Sequence, residues 1–149
     1  MKRISLLVVA LGFALTSVYA AEEIKLDGVK CIVATKNPAK ADKTRDYKDG
    51  KVFFCCDNCP MKFDKDTKAF ATKANAQLVQ TEQAKQGKCP LSGQDLNKDT
   101  EITVGGAKVA FCCNMCKGKV EKAEGEEQLK MVFSDEAWKK AEFKVEKKK

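Results

Sequence analysis

The sequence predicts an α+β chain of two small tandem units, each a β-hairpin, a Cys-Cys-x-x-Cys turn and a following helix. Three observations predict it. All eight cysteines fall into two copies of one pattern, and no histidine accompanies them. A stretch with strand-like alternation and a tight-turn dipeptide precedes each Cys-Cys pair. After the first pair, apolar residues recur at helical spacing.

The chain opens with a segment that reads as a secretory signal, residues 1–20. Lys2 and Arg3 give a positive start, Leu6 to Leu15 is an apolar core, and Val18-Tyr19-Ala20 places small residues at a cleavage site. The apolar core is shorter than the ~20 residues that span a bilayer, so no transmembrane segment is expected in the mature chain. The expectation is export, to a periplasmic or extracellular location, with cleavage near Ala20. Loss of Lys2 and Arg3 lowers the formal net charge from +7 to +5. Part of the excess sits in Lys139, Lys140, Lys144 and Lys147 to Lys149, which reads as a solvated terminus. Without an aromatic-basic surface motif, nucleic acid is not an expected partner.

The first unit is placed at 21–80. Cys31 leads it, and a hairpin is expected over Asp46 to Phe54 with Asp49-Gly50 as its turn. Cys55, Cys56 and Cys59 follow the strand directly. One helix is then expected, with Phe63, Phe70, Ala74 and Leu78 on a single face. Residues 81–88 are polar, end near Gly87 and read as a linker.

The second unit is placed at 89–149. Cys89 leads it, and Glu101 to Val104, Gly105-Gly106 and Lys108 to Phe111 form the second hairpin. Cys112, Cys113 and Cys116 follow. Gly118 and Gly125 interrupt the helical pattern that comes next. Ser134 is a candidate N-cap for a last short helix that buries Trp138 and Ala141. Cys55, Cys56 and Cys59 map onto Cys112, Cys113 and Cys116 at an offset of 57, whereas Cys31 maps onto Cys89 at 58. Lys51-Val52-Phe53-Phe54 matches Lys108-Val109-Ala110-Phe111, and Lys62-Phe63-Asp64-Lys65 matches Lys119-Val120-Glu121-Lys122. That agreement marks an internal duplication.

An all-thiol constellation points to soft-metal ligation or to a disulfide framework. Units this small bury little core alone and lean on metals or bridges. The Cys-x-x-Cys spacing presents two sulfurs to one metal, and sulfur donors favour Zn²⁺ or Cu(I) over hard cations. A vicinal Cys55–Cys56 bridge would be strained, because adjacent Cα atoms are ~3.8 Å apart and disulfides span ~4.4–6.8 Å. Each member of the pair is therefore expected to have its own task. All eight cysteines are candidate ligands, with Cys56 and Cys113 the simplest fourth donors. Met61 and Met115 lie beside the thiols and are expected to pack, with thioether ligation as the sharper reading. Lys62, Lys117 and Lys119 are expected to favour thiolate over thiol. An oxidising compartment keeps the alternative open: a disulfide-stapled interaction module without metal. Thiol redox catalysis ranks last, since neither Cys-x-x-Cys lies in a βαβ alternation. The missing histidine removes the commonest general base, and no enzyme is expected.

Cys89-Pro90-Leu91-Ser92-Gly93, a hairpin, and then Phe111-Cys112-Cys113-Asn114-Met115-Cys116 resemble the YHS/TRASH group of small metal-associated domains. The resemblance implies a treble-clef-like unit with Cys89, Cys112 and Cys116 as ligands, and Cys31, Cys55 and Cys59 in the first copy. It implies metal handling or sensing, with a metal ion and a protein outside the cytoplasm as partners. The first copy departs from the pattern, with Ile32 at the proline position and Ala34-Thr35-Lys36 where Ser/Thr-Gly would follow.

Overall fold

Turn chemistry sets the two hairpins, and the computed structural model, which describes residues 24–146, places them as follows. The segment 1–20 and Lys147 to Lys149 lie outside the described residues. In the first half β1 (Lys40–Tyr47) pairs antiparallel with β2 (Gly50–Phe54). The turn is Lys48-Asp49, with φ of 48° and 67°, one residue earlier than the sequence suggests. Positive φ at both central residues is what a type I′ turn requires. Gly50 is instead a strand residue opposite Tyr47. Its lack of a side chain serves packing: a Cβ there would lie 2.7 Å from Leu78 Cδ2 and 3.1 Å from Gln83 Oε1.

Beyond the Cys-Cys pair the expected single helix is two, α1 (Asn58–Lys65) and α2 (Thr67–Gln80). Asp66, at φ −147°, breaks the run, and its carboxylate accepts the Ala69 N–H at 3.0 Å to cap α2. A weak helix former with a local side-chain alternative wins over continued periodicity here. Phe63 still stacks near Phe54, Tyr47 and Phe70, with ring centroids 5.6, 5.7 and 6.4 Å away.

The stretch 81–88 contains a short strand, β3 (Ala84–Lys85), and buries Thr81, Gln83 and Ala84. The second hairpin is β4 (Asn97–Val104) with β5 (Ala107–Phe111), turning at Gly105-Gly106 with φ of 57° and 86°. Then come α3 (Asn114–Lys122), α4 (Gly125–Phe133) and α5 (Asp135–Lys140). Gly118 is absorbed inside α3, while Gly125, at φ 57°, marks the start of α4. Ser134 Oγ accepts the Ala137 N–H at 3.3 Å and caps α5, which buries Trp138 beside the fully buried Ala141. Last, β6 (Lys144–Val145) pairs antiparallel with β3. Among the described residues, no helix is long and apolar enough to cross a membrane.

One apolar cluster takes residues from both halves, Val52, Phe54, Phe63 and Leu78 with Val104, Val109, Phe111, Val132 and Phe133. The helix α2 lies between them, against β2 and β3 and against β5, α4 and α5. Its buried positions Ala71, Ala74 and Ala76 are small, so backbones approach on several sides. Ion pairs repeat this joining at the surface: Lys48 to Asp135 at 2.7 Å and Lys73 to Glu126 at 2.6 Å. The Lys48 ammonium also sits 4.9 Å from the Trp138 ring centre. Such exposed pairs add little each, so the shared apolar cluster carries the joining of the halves.

Two glycines give opposite expectations. Gly50→Ala forces a methyl into the fully buried Leu78 and should cost about 1–3 kcal/mol. Gly118→Ala meets nothing within 4 Å inside a helix and should gain ~0.5–1 kcal/mol. Urea unfolding midpoints check both; a shift of the same sign for the two would contradict this packing.

Candidate metal centres

Each cysteine trio is assembled from three local structures: a loop, a strand end and a helix start. In the first, the Cys31 N–H donates to Asn37 O at 3.0 Å, and Lys30 bridges to Pro38 across the loop. In the second, the Cys89 N–H donates to Gln94 O at 2.9 Å. The first loop closes over one more residue than the second. That is where the extra residue behind the 57 and 58 offsets resides, because the hairpins themselves align: Lys40 opposes Phe54 as Asn97 opposes Phe111.

A glutamine fixes each loop to its strand, Gln77 buried and Gln86 half-buried. Gln77 Oε1 accepts the Phe53 N–H at 2.7 Å, and its Nε2 donates to Phe53 O at 3.1 Å and Lys30 O at 2.9 Å. Gln86 does the same in the second half: Oε1 accepts the Ala110 N–H at 3.0 Å, and Nε2 donates to Ala110 O at 2.8 Å and Lys88 O at 2.9 Å. Both clamps join the residue before the lone cysteine to the residue two before the Cys-Cys pair. They come from different places, α2 for Gln77 and the segment leading into Cys89 for Gln86. The strand ends are anchored further by Phe54 and Phe111, both fully buried. Thr100 Oγ1 accepts the Phe111 N–H at 2.9 Å and donates to Phe111 O at 2.6 Å.

So held, the sulfurs of Cys31, Cys55 and Cys59 lie within 4.8 Å of one another, and so do those of Cys89, Cys112 and Cys116. Cys55 and Cys59 are 3.7 Å apart, as are Cys112 and Cys116. Cys56 and Cys113 stand outside these mutual groups but lie against them, Cys56 3.5 Å from Cys59 and Cys113 3.6 Å from Cys112. The vicinal residues thus divide, one sulfur turned into the trio and the next beside it, on the bend that follows each strand rather than on opposite strand faces. Every described cysteine is a free thiol.

Hydrogen bonds around the sulfurs differ between the halves but end on matching atoms. Asn37 Nδ2 lies 3.8 Å from Cys55 Sγ, and Ser92 Oγ donates to Cys112 Sγ at 3.2 Å. The Ala34 N–H donates to Cys31 Sγ at 3.3 Å. Burial pushes the Cys31 and Cys89 thiols up, yet the donors around them outweigh it and bring both below the ordinary thiol value. For Cys31 these are the amides of Ala34, Val33 and Cys55; for Cys89 they are Ser92 and the Cys112 amide, and its value falls to about 7. Burial and neighbouring sulfurs push Cys59 up, and push Cys116 to about 12. The lone cysteine of each trio is thus lowered, whereas the helix-start cysteine is raised.

The lysines do not take the role expected of them. The main groups lowering these thiols are amides, neighbouring sulfurs and Ser92, and Lys117 reaches Glu121 at 3.9 Å. Met61 and Met115 are not packed either, at 52% and 78% exposure. Gln77, Gln86 and Asn37 escaped the sequence reading. The one signal for Gln77 was a glutamine on the apolar face between Ala74 and Leu78, where a buried amide must find partners.

Replacing either glutamine by methionine keeps its length and leaves three backbone groups without the amide. Gln77→Met should cost about 1–3 kcal/mol per group left buried and unpaired. It should also weaken metal binding by the first trio selectively, and Gln86→Met by the second. Titration of each variant with Cu(I) against a competing chelator checks this; equal loss at both trios would contradict the clamp assignment. No family model, curated protein or solved structure matches the chain.

Proposed function

We propose that the chain binds one soft metal ion, Cu(I) or Zn²⁺, in each cysteine trio, and handles or senses that metal outside the cytoplasm. One observation carries the reading: three sulfurs from separate elements converge within 4.8 Å, twice, in groups made of cysteine alone. A metal–sulfur bond of about 2.3 Å in tetrahedral geometry sets its ligand sulfurs roughly 3.8 Å apart. The 3.7 Å separations fit that edge. The sulfur-only donor set suits soft ions and discriminates against Mg²⁺ and Ca²⁺. Three converging donors suit Cu(I), which accepts trigonal coordination; Zn²⁺ would need a fourth donor from outside the trio.

The resemblance to the YHS/TRASH group points to the same two trios and supports a metal-associated role. Export rests on the signal-like residues 1–20. The unbridged thiols favour this reading over a disulfide staple. A binding protein fits better than an enzyme, since the sites offer no histidine, carboxylate pair or phosphate cradle.

Purified protein should bind about one Cu(I) or Zn²⁺ per trio and resist reductant, while a strong chelator lowers its melting temperature. Affinity should rise with pH, because Cys116 keeps its proton to about 12 and surrenders it only to the metal. Apparent affinity measured from pH 6 to 9 tests the sign. A reductant-sensitive, chelator-indifferent melt would replace this reading with the disulfide one.

A further inference from the structure

We infer that Cys56 and Cys113 are exchange thiols, through which each trio passes its metal to a thiol-bearing partner. The inference rests on the proposal that the trios hold the metal. Its basis is a repeated juxtaposition. In each half the second member of the Cys-Cys pair stands outside the converging group yet touches one of its sulfurs, at 3.5 Å for Cys56 with Cys59 and 3.6 Å for Cys113 with Cys112. Those contacts equal the sulfur–sulfur edges inside the trios, so a metal held by the trio is within a small displacement of the outer sulfur. In the first half the outer sulfur is also the most accessible: Cys56 is exposed, Cys55 half-buried, and Cys31 and Cys59 buried. In the second half Cys113 is half-buried, as are Cys112 and Cys116, and only Cys89 is buried.

A soft metal leaves such a site by addition before departure, because releasing a bare ion from buried thiolates is prohibitive. Cys56 supplies the adding group. Its sulfur bonds the metal and releases its proton to solvent, while the bond to Cys59 breaks and that sulfur takes up a proton. The partner's two thiols then bond the metal in turn at the exposed side, and each loses its proton to solvent. The bonds to Cys31, Cys55 and finally Cys56 break, and each sulfur is reprotonated. No electron moves, and the metal keeps its oxidation state. The partner implied is a protein or peptide presenting paired thiols. Met61 and Met115 fit the same purpose: each is an exposed apolar side chain within two residues of a trio cysteine, and a thioether that can be approached from solvent.

The test uses the chain loaded with Cu(I) and a Cys-x-x-Cys peptide as acceptor. Alkylation of the loaded protein, read by mass spectrometry, should label Cys56 and Cys113 and spare the six trio cysteines. Cys56→Ser with Cys113→Ser should keep the Cu(I) affinity, measured against a competing chelator, yet slow transfer to the peptide at least several-fold. Loss of affinity in the double variant, or protection of Cys56 and Cys113 from alkylation, would make them permanent fourth ligands and overturn the inference. Unchanged transfer would overturn it as well. Failure of the unaltered chain to bind Cu(I) would instead remove the trio reading on which it rests.

Discussion

Everything about these sites depends on two glutamines that fasten a loop to a strand. A trio needs sulfurs from residues more than twenty apart in sequence, and the tolerance for a shared metal is a fraction of an ångström. Gln77 and Gln86 meet that demand with three hydrogen bonds each, spanning the residue ahead of the lone cysteine and the strand that delivers the next one. Their neighbour Gln83 repeats the move on Lys51, accepting its N–H and donating to its carbonyl at 2.7 Å in both cases. A two-stranded hairpin is marginal alone. Side-chain amides here complete the strand edges where a longer sheet would have placed a third strand.

That rigidity creates an electrostatic problem which explains the thiols' unequal protonation. Two thiolates 3.7 Å apart repel by about 4 kcal/mol at an effective dielectric of roughly 20. Three cannot ionise together without a cation. The trio eases this by concentrating donors on Cys31 and Cys89, which lowers those thiols, while burial and neighbouring sulfurs raise Cys59 and Cys116. The same repulsion is what a soft cation would relieve, and it favours binding coupled to proton release.

Local chemistry was legible in the sequence; the long-range contacts were not. The Gly105-Gly106 turn, the Ser134 cap and the burial of Phe63, Leu78 and Trp138 follow from residue type and spacing. The convergence of Cys31 with Cys55 and Cys59 was anticipated from the motif match. The Lys48-Asp49 turn was missed because Gly50 looked like a turn glycine, when its role is to make room for Leu78 and Gln83. The helix break at Asp66 was missed because apolar periodicity continues across it. The glutamine clamps leave almost no local signal, since their partners lie up to 47 residues away. Asn37 and Ser92 illustrate the same limit: two unlike residues at unequal loop positions serve matching sulfurs. The segment 81–88 reads as polar, yet Thr81 and Gln83 are buried because their side chains bond each other and the backbone of Gln77 and Lys51.

The central claim is that each trio is a three-sulfur metal site. X-ray absorption at the copper edge of the Cu(I)-loaded chain tests it most directly. The account predicts a first shell of three sulfurs at about 2.3 Å with no light-atom contribution. A shell dominated by nitrogen or oxygen donors, or only two sulfurs per metal, would contradict it.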